Sequence, residues 1–331
     1  MPKVSIIVLN YNGKDFLEKC IPTIQNQTYS DIQIIVADNN STDQSQEYCE
    51  KIPEIKFIKN PKNYGYATAN NIAAGQADGD FLLFLNNDTE LHDDSIEKLV
   101  SCYEENTILG PQQDVGKKGF EHPLRGNGMD IFGYPFGYAD ISKTKLFYVD
   151  GAAIFIKKSD FFKIGQFDDE LFIFQEDVDL SWRAQLMGFK IKICSESVIY
   201  HYSGGFVLGG NAANNEKYSS SYFRRYLNEK NVLRNLLKNY SMLTVFILLP
   251  ALLAIHAVEI LLLLCLGKHR VVKCYTDAYI WNIQNIKSTI SLRKKVQQLR
   301  VVSDLQLLFR MHFNYSKLEA FRKNGGIPDF K

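Results

Sequence analysis

Three short apolar runs near the start of the chain each stop on a cluster of asparagine and aspartate. Val4–Leu9 ends at Asn10-Tyr11-Asn12-Gly13, Ile32–Ala37 at Asp38-Asn39-Asn40-Ser41-Thr42-Asp43, and Phe81–Leu85 at Asn86-Asn87-Asp88. Continuous β-branched runs of this length read as strands buried on both faces. Ile55–Ile58 is a further strand. Between them lies helical spacing: Asp15–Asn26 sets Phe16, Leu17, Cys20, Ile21 and Ile24 on one stripe, and Gln44–Lys51 and Tyr66–Ala77 read as helices. Strands alternating with helices, and polar clusters at the strand ends, predict a doubly wound α/β sheet. In such sheets ligands sit beyond the carboxyl ends of the strands, where all three clusters fall.

Further along, a helix over Ser95–Asn106 precedes residues 110–145, whose Gly, Pro and Tyr content predicts a long loop or a set of short strands. Phe147–Ile156 and Lys190–Tyr200 read as strands, and Phe172–Gly188 contains a helix. The Gly/Asn-rich stretch Gly204–Asn215 marks the expected boundary between an α/β domain over 1–215 and a basic, apolar helical region over 216–331.

Charge divides at the same place. Residues 1–215 hold 19 basic and 30 acidic side chains, and residues 216–331 hold 19 basic and 7 acidic, so a net charge of +1 hides a split of −11 and +12. The first part is suited to holding a cation and the second to an anionic surface. Within the second part Met242–Leu266 is apolar, interrupted by Thr244, Pro250, His256 and Glu259, and long enough to cross a bilayer. Arg224, Arg225, Arg234 and Lys238 precede it and Lys268, Arg270 and Lys273 follow it, so neither flank is favoured as outside. The reading preferred is an interfacial helical hairpin hinged near Pro250, ahead of a single span or a soluble core helix, with Arg293-Lys294-Lys295 and Arg300 against anionic headgroups. Basic residues beside an apolar stretch, with no nucleic-acid module, exclude nucleic-acid binding. The six cysteines lack CxxC spacing, which predicts reduced thiols in a cytosolic compartment. The N-terminal apolar run reads as a buried strand and not a secretory signal, so the catalytic part is expected inside the cell.

Several residues can carry chemistry. Asp88 ends a strand two residues after Asn86, placed to bind Mg²⁺ or Mn²⁺, hard cations that complete their shell with substrate phosphates. Alone, the same residues also read as a turn that caps a helix. Asp38 begins a cluster able to hydrogen-bond a nucleobase and ribose, while Asp43 reads as a helix cap. Glu176-Asp177-Val178-Asp179 sets three acids within four residues. Asp177 and Asp179 cannot share a helix face, so one faces a site and the other pairs with Arg183, which lies i+4 from Asp179. A carboxylate in an acidic, partly apolar setting has a raised pKa and suits a general base. His201, between Tyr200 and Tyr202, is a candidate metal ligand.

Together these segments resemble glycosyltransferase family 2, inverting enzymes of GT-A fold. The matching pieces are Val4–Asn12, Asp38–Asp43, Asn63-Tyr64-Gly65-Tyr66-Ala67 with Asn70-Asn71, Leu85–Asp88, Gly151-Ala152-Ala153, Phe167–Glu170, Glu176–Leu180 with Arg183 and Gly188, and His201. They occur in the family's order over some two-thirds of the chain. The resemblance implies that Asn10, Asn12, Asp38, Asn40, Asn63, Gly65, Asn70, Asn86 and Asn87 bind the nucleotide-sugar. It implies that Asp88 and His201 hold the metal, that Asp177 is the base, and that Glu176, Gly151 and Ala152 lie on the acceptor side. Asn86 stands where the family's metal motif commonly has an acid. The branch resembled most is the rhamnosyltransferase-like one. That implies transfer of a sugar, L-rhamnose among the options, from a dTDP- or UDP-sugar to a lipid-linked glycan of bacterial surface polysaccharide, at the cytoplasmic face of the membrane. Two alternatives stay open: a polyprenyl-phosphate sugar synthase, and a membrane scaffold whose GT-A domain is inactive.

Overall fold

The computed structural model describes residues 1–115, 125–140, 145–202, 219–323 and 326–330. The chain opens with β1 (Val4–Asn10), α1 (Lys14–Gln25), β2 (Ile32–Asp38), α2 (Ser45–Glu50), β3 (Ile55–Lys59), α3 (Gly65–Gln76), β4 (Phe81–Asn86) and β5 (Thr89–Leu91). It continues through α4 (Ser95–Cys102), β6 (Thr107–Val115), β7 (Arg125–Met129), β8 (Pro135–Asp140), β9 (Ala153–Lys157), α5 (Lys158–Ile164), α6 (Glu176–Leu186) and β10 (Lys190–His201). After β11 (Ser219–Ser220) come α7 (Tyr222–Asn239), α8 (Met242–Cys265), α9 (His269–Gln284), α10 (Ile286–Leu299), α11 (Asp304–Leu308), α12 (Ser316–Lys323) and β12 (Asp329–Phe330).

The main sheet has 8 strands in the order β3-β2-β1-β4-β9-β6-β10-β5. β1, β2, β3 and β4 run parallel, β9 is antiparallel to β4 and β6, and β5 is antiparallel to β10. Side chains alternate across each strand. Val4, Ile6 and Val8 of β1 pack with Leu17, Ile21 and Ile24 of α1 and with Ile96 and Leu99 of α4. Ile7 faces the other way, onto Ala67 and Ala73 of α3, Phe161 of α5 and Leu180 of α6. Register sets the site: Asn10 lies beside Asp38, and Leu9 beside Asn86, so the polar clusters finish on one edge.

The C-terminal helices form a third core with the α/β part. Trp182 of α6 packs on Tyr240 with ring centroids 4.6 Å apart, among Met129, Phe132, Val232, Leu236, Leu248 and Leu252. Here the structure corrects the reading of the +12 half. Arg234 of α7 holds both oxygens of Asp168, at 2.8 and 3.0 Å, and Lys238 bridges Asp168 and Asp179 at 2.5 and 2.8 Å. Asp179 also takes Arg183, at 2.8 Å, as its spacing predicts. All five charges are buried. Arg293 donates to the carbonyl of Tyr240 at 2.7 Å, and Arg300 to that of Asn239, so both serve the carboxyl end of α7 and not headgroups. Lys294 and Lys295 are exposed.

Two further expectations change. No hinge forms at Pro250: α8 runs through it, and the chain turns back at Gly267, in the left-handed region at φ 68°, into α9. Pro250 removes one backbone bond, the one that would reach Phe246, and the remaining bonds of the 24-residue helix carry it through. Cys102 and Cys194, expected as reduced thiols, are joined as a disulfide across 92 residues, a separation that CxxC spacing does not reveal. Among residues 110–145 short strands are the outcome where the chain is described, and the strand expected over Phe147–Ile156 forms as Ala153–Lys157. The expected boundary at Gly204–Asn215 lies outside the described residues.

Candidate active site

The strand-end residues form one hydrogen-bond net. Asn10 donates to Asp38 Oδ1 at 2.9 Å and to Ser41 Oγ at 3.1 Å, and accepts from Asn87 at 2.7 Å. Asn12, at φ 50°, donates its amide to Ser41 Oγ at 2.8 Å and accepts from Thr42 N at 2.8 Å. Asp38 is fully buried, and its Oδ2 takes Ser41 N at 2.8 Å and Gln46 at 2.9 Å. Asp38 thus holds the loop that presents the exposed Asn40. Asp43 accepts from the amides of Lys14 and Ser45, tying the starts of α1 and α2 together. Gly13 permits the close approach of this net: a Cβ there would lie 2.1 Å from Asn87 Nδ2.

Asn63 joins the net through Asn39, at 3.2 Å, and accepts the Gly65 amide at 2.8 Å. Gly65 sits at φ 77°, where a Cβ would meet the Phe172 ring and carbonyl at 2.5 Å, so only glycine fits. Asn70 stands apart, donating to the Tyr66 carbonyl of its own helix at 3.0 Å. Its neighbour Asn71 makes the tertiary tie instead, exchanging hydrogen bonds with the Phe167 backbone at 2.9 and 3.1 Å.

Asp88 follows β4, and the antiparallel pairing of β5 with β10 brings His201 over it. His201 Nε2 lies 3.3 Å from Asp88 Oδ1, with both side chains buried. Burial opposes a charged imidazole, but the hydrogen bond and the charge of Asp88 prevail, so the His201 pKa is raised. Two ligands on adjacent positions of an octahedral ion with bonds of about 2.1 Å lie about 3 Å apart, so this oxygen and nitrogen fit a shared divalent cation. No third His, Cys, Asp or Glu joins them in a metal-binding group among the described residues, which leaves further positions for phosphate oxygens and water.

The segment 150–152 links this pair to the acid cluster. Ala152 accepts from the Asn86 amide at 2.9 Å and donates to Asp150 Oδ1 at 2.8 Å, while the Gly151 amide donates to Asp177 Oδ2 at 3.0 Å. The Gly151 carbonyl takes the Tyr66 hydroxyl at 2.7 Å. Burial, then the charge of Asp150, raises the Asp177 pKa to about 7. Glu176 is buried beside it, its Oε2 has no hydrogen-bond partner, and burial with the Asp177 charge raises it well above the carboxylate range. The neutral form of Glu176 is therefore the one that this setting favours.

Sequence reasoning missed how this cluster is held. Phe172, at φ 65° and ψ −70°, centres a γ-turn closed by Ile173 N on Leu171 O at 2.8 Å, and Phe174 and Gln175 follow at φ 68° and 70°. Three side-chain-bearing residues in the left-handed region cost of order 1 kcal/mol each and persist only when the surroundings enforce them. Helix α7 does so. Asn231 gives its amide to the carbonyls of Leu171, Ile173 and Phe174 at 3.0, 3.1 and 2.7 Å. Asn235 donates to Gln175 O at 3.3 Å and Asn239 to Asp179 Oδ1 at 3.0 Å. Spaced i, i+4, i+8, the three lie on one helical face, a signal present in the sequence but with no partner visible there. Asp150 was also missed, although it directly precedes the Gly151 motif.

Comparison with known proteins extends this picture. A segment is 28% identical over 221 residues to the O-antigen biosynthesis protein RfbC of Myxococcus xanthus, covering 61% of this chain and 17% of that protein. Another is 38% identical over 106 residues to a GalNAc(5)-diNAcBac-PP-undecaprenol beta-1,3-glucosyltransferase of Campylobacter jejuni, covering 30% of this chain and 34% of that one. The chain spans less than half the length of these relatives. The fold is similar to that of the mannosyltransferase PcManGT from Pyrobaculum calidifontis, solved with GDP-Man and Mn²⁺, at a TM-score of 0.52 and 14% identity over 90% of this chain and 82% of that one. The architecture is the GT-A fold, with a helical C-terminal region that includes one apolar helix. Glycosyl transferase family 2 is the family whose model matches residues 5–162, a segment that holds the strand-end net, Asp88 and Gly151 but stops short of Asp177 and His201.

Proposed function

We propose that the protein is an inverting glycosyltransferase that moves a sugar from a nucleotide-sugar to a lipid-linked glycan, in bacterial surface polysaccharide synthesis. One observation carries the reading: segment 150–152 hydrogen-bonds the end of β4, beside Asp88 and His201, and at once the carboxylate of Asp177. In this reading a charge-neutralising pair and a base with a pKa near 7 lie on either side of segment 150–152, the arrangement that displacement at an anomeric carbon needs.

In this reading the asparagine net and the loop held by Asp38 seat the nucleotide, with Asn40 at its exposed lip. Asp88 and His201 would hold Mg²⁺ or Mn²⁺, which when bound neutralises charge on the departing diphosphate. The acceptor oxygen forms its bond to the anomeric carbon as the bond to the diphosphate breaks, and its proton passes to Asp177. Glu176, kept neutral, is a hydrogen-bond donor toward the acceptor, and Gly151 and Ala152 floor that side. The donor is a dTDP- or UDP-sugar, with L-rhamnose first to test on the branch resemblance. The exposed face of α8, with Leu243, Phe246, Ile247, Leu261 and Leu262, supports seating on a membrane surface, which the family resemblance would put at the cytoplasmic face. Val245, Leu248, Leu252 and His256 are buried along its other face, which favours a helix lying on the membrane over one crossing it.

The test is transfer by the purified full chain in Mn²⁺, with a panel of nucleotide-sugars and a diphosphate-linked lipid disaccharide. A product of inverted anomeric configuration is expected. Transfer to polyprenyl phosphate alone would move the assignment to a polyprenyl-phosphate sugar synthase. Failure of every donor to protect the folded chain against heat would leave a scaffold.

A further inference from the structure

Segment 147–151 runs along α6 and is fastened to it at every second residue. Gln185 donates to the Phe147 carbonyl at 2.7 Å, the Val149 amide to Ser181 Oγ at 3.3 Å, and the Gly151 amide to Asp177 Oδ2 at 3.0 Å. Residues 177, 181 and 185 share one helical face, so the proposed base is the last rung of this ladder. The other oxygen of Asp177 takes the amide of Val178, its own neighbour, at 2.7 Å. Among the described residues, the Gly151 amide is therefore the one hydrogen bond that reaches the Asp177 carboxylate from outside α6.

Gly151 lies in a turn. The Ala153 amide closes on the Asp150 carbonyl at 3.2 Å, which makes the Gly151–Ala152 peptide the turn's central one. That peptide is the part of a β-turn that rotates between types I and II, and rotation exchanges the places of its carbonyl and its amide. Two contacts set its orientation here. Its amide, on Ala152, donates to Asp150 Oδ1 at 2.8 Å, a bond internal to the turn. Its carbonyl, on Gly151, takes the Tyr66 hydroxyl at 2.7 Å, the only hydrogen bond to that carbonyl among the described residues.

Tyr66 is itself fixed at the start of α3. Its ring meets Phe167 edge-on with centroids 5.6 Å apart, and the next residue, Ala67, donates its amide to the Phe172 carbonyl at 3.1 Å. Burial, then the charges of Glu176, Asp177 and Asp150, raises the Tyr66 pKa well above the ordinary phenol value, so the hydroxyl stays a donor.

We infer that Tyr66 is a positioning residue for the proposed reaction: its hydroxyl fixes the Gly151–Ala152 peptide and, through Gly151, the carboxylate of Asp177. The inference rests on Asp177 as the base and adds what aims it. Without the hydroxyl, the central peptide keeps only the bond internal to its own turn. The Gly151 amide then no longer holds Asp177 Oδ2 in place, and a base off its line loses rate without any loss of donor binding.

The test compares Tyr66→Phe, which removes the hydroxyl and keeps the ring, with Asn71→Ala on the same helix, whose bonds run to Phe167 and Asp169. The first readout is amide hydrogen exchange of the full chain. In Tyr66→Phe the Gly151 and Ala152 amides should exchange about three- to tenfold faster, the equivalent of one net hydrogen bond, and in Asn71→Ala they should keep the native rate. The second readout is transfer. Tyr66→Phe should lower kcat, counted per bound donor, by about three- to tenfold with donor KM within about twofold, while Asn71→Ala, though less stable to heat, keeps its kcat. Faster exchange confined to Tyr66→Phe supports the link even if the native chain transfers no sugar, in which case the proposed function alone fails. Native exchange at Gly151 and Ala152 in Tyr66→Phe overturns it. Faster exchange with native kcat also overturns it, since the base would then not depend on the turn. An equal fall in kcat in Asn71→Ala does the same, by reducing Tyr66 to packing of α3.

Discussion

The two sides of the candidate site are built in opposite ways. On the nucleotide side, Asn10, Asn12, Asp38, Asn63 and Asn87 are fixed by one another and by strand register. On the acceptor side, Glu176 and Asp177 follow a strained turn whose carbonyls are held by a helix some 60 residues further along. The first is closed by hydrogen bonds among its own members at the strand ends. The second gathers buried charge and unfavourable dihedrals and is set by the C-terminal region. The helices after residue 216 therefore hold the turn and helix that carry Glu176 and Asp177, which the proposed function makes the acceptor side.

Substitutions can break this comparison. Asp177→Asn should lower transfer by about 10²–10⁴-fold while thermal protection by the donor with Mn²⁺ survives, because the base lies outside the asparagine net. Loss of donor protection in that variant would mean that the two sides are not separate. Asp168→Asn leaves Arg234 and Lys238 with a buried charge uncompensated and should cost about 3–5 kcal/mol in denaturant unfolding. An effect near zero would show that the α6–α7 contact is not held by these ions. Asn231→Ala removes the donor from three carbonyls, with an expected loss of about 1–3 kcal/mol and a fall in kcat larger than any rise in donor KM. Equal change in both parameters would reduce Asn231 to a packing residue.

The smallest effect is on pH. Asp177 must be ionised to accept a proton, so transfer should rise as pH climbs through about 7 and level off above it. Asp150→Asn removes a neighbouring negative charge and should move that midpoint to lower pH. A midpoint that stays in place would remove Asp150 from the account. Stability runs with opposite signs on the two carboxylates. Asp177, raised in the fold, binds its proton more tightly folded than unfolded, so its contribution is present at low pH and fades as pH rises toward about 7. Asp168, held below the usual range despite burial by Lys238 and Arg234, contributes above the ordinary carboxylate pKa and loses that contribution as pH falls.

Legibility in the sequence follows the same division. Strands that end on asparagine and aspartate were readable because strand period and turn chemistry are local, and so was the pairing of Asp179 with Arg183 at i+4. The contacts of Arg234 and Lys238 were not, since a basic helix looks the same whether its cations meet headgroups or buried aspartates. Pro250 shows the limit of residue-by-residue reading: one lost bond does not stop a helix of 24 residues. His201 was legible as a candidate, but its approach to Asp88 needed the register of β5 on β10.

The asparagine face of α7 also has a consequence in time. Residues 171–175 leave the ribosome well before Asn231, and at about 5–20 residues per second a gap of 60 residues is roughly 3–12 s of synthesis. Until α7 has emerged and docked, the carbonyls of Leu171, Ile173, Phe174 and Gln175 lack their side-chain donors. In the proposed function, the nascent α/β part completes the edge assigned to the nucleotide first, and a chain terminated before α7 would lack the asparagines that hold the turn leading into Asp177.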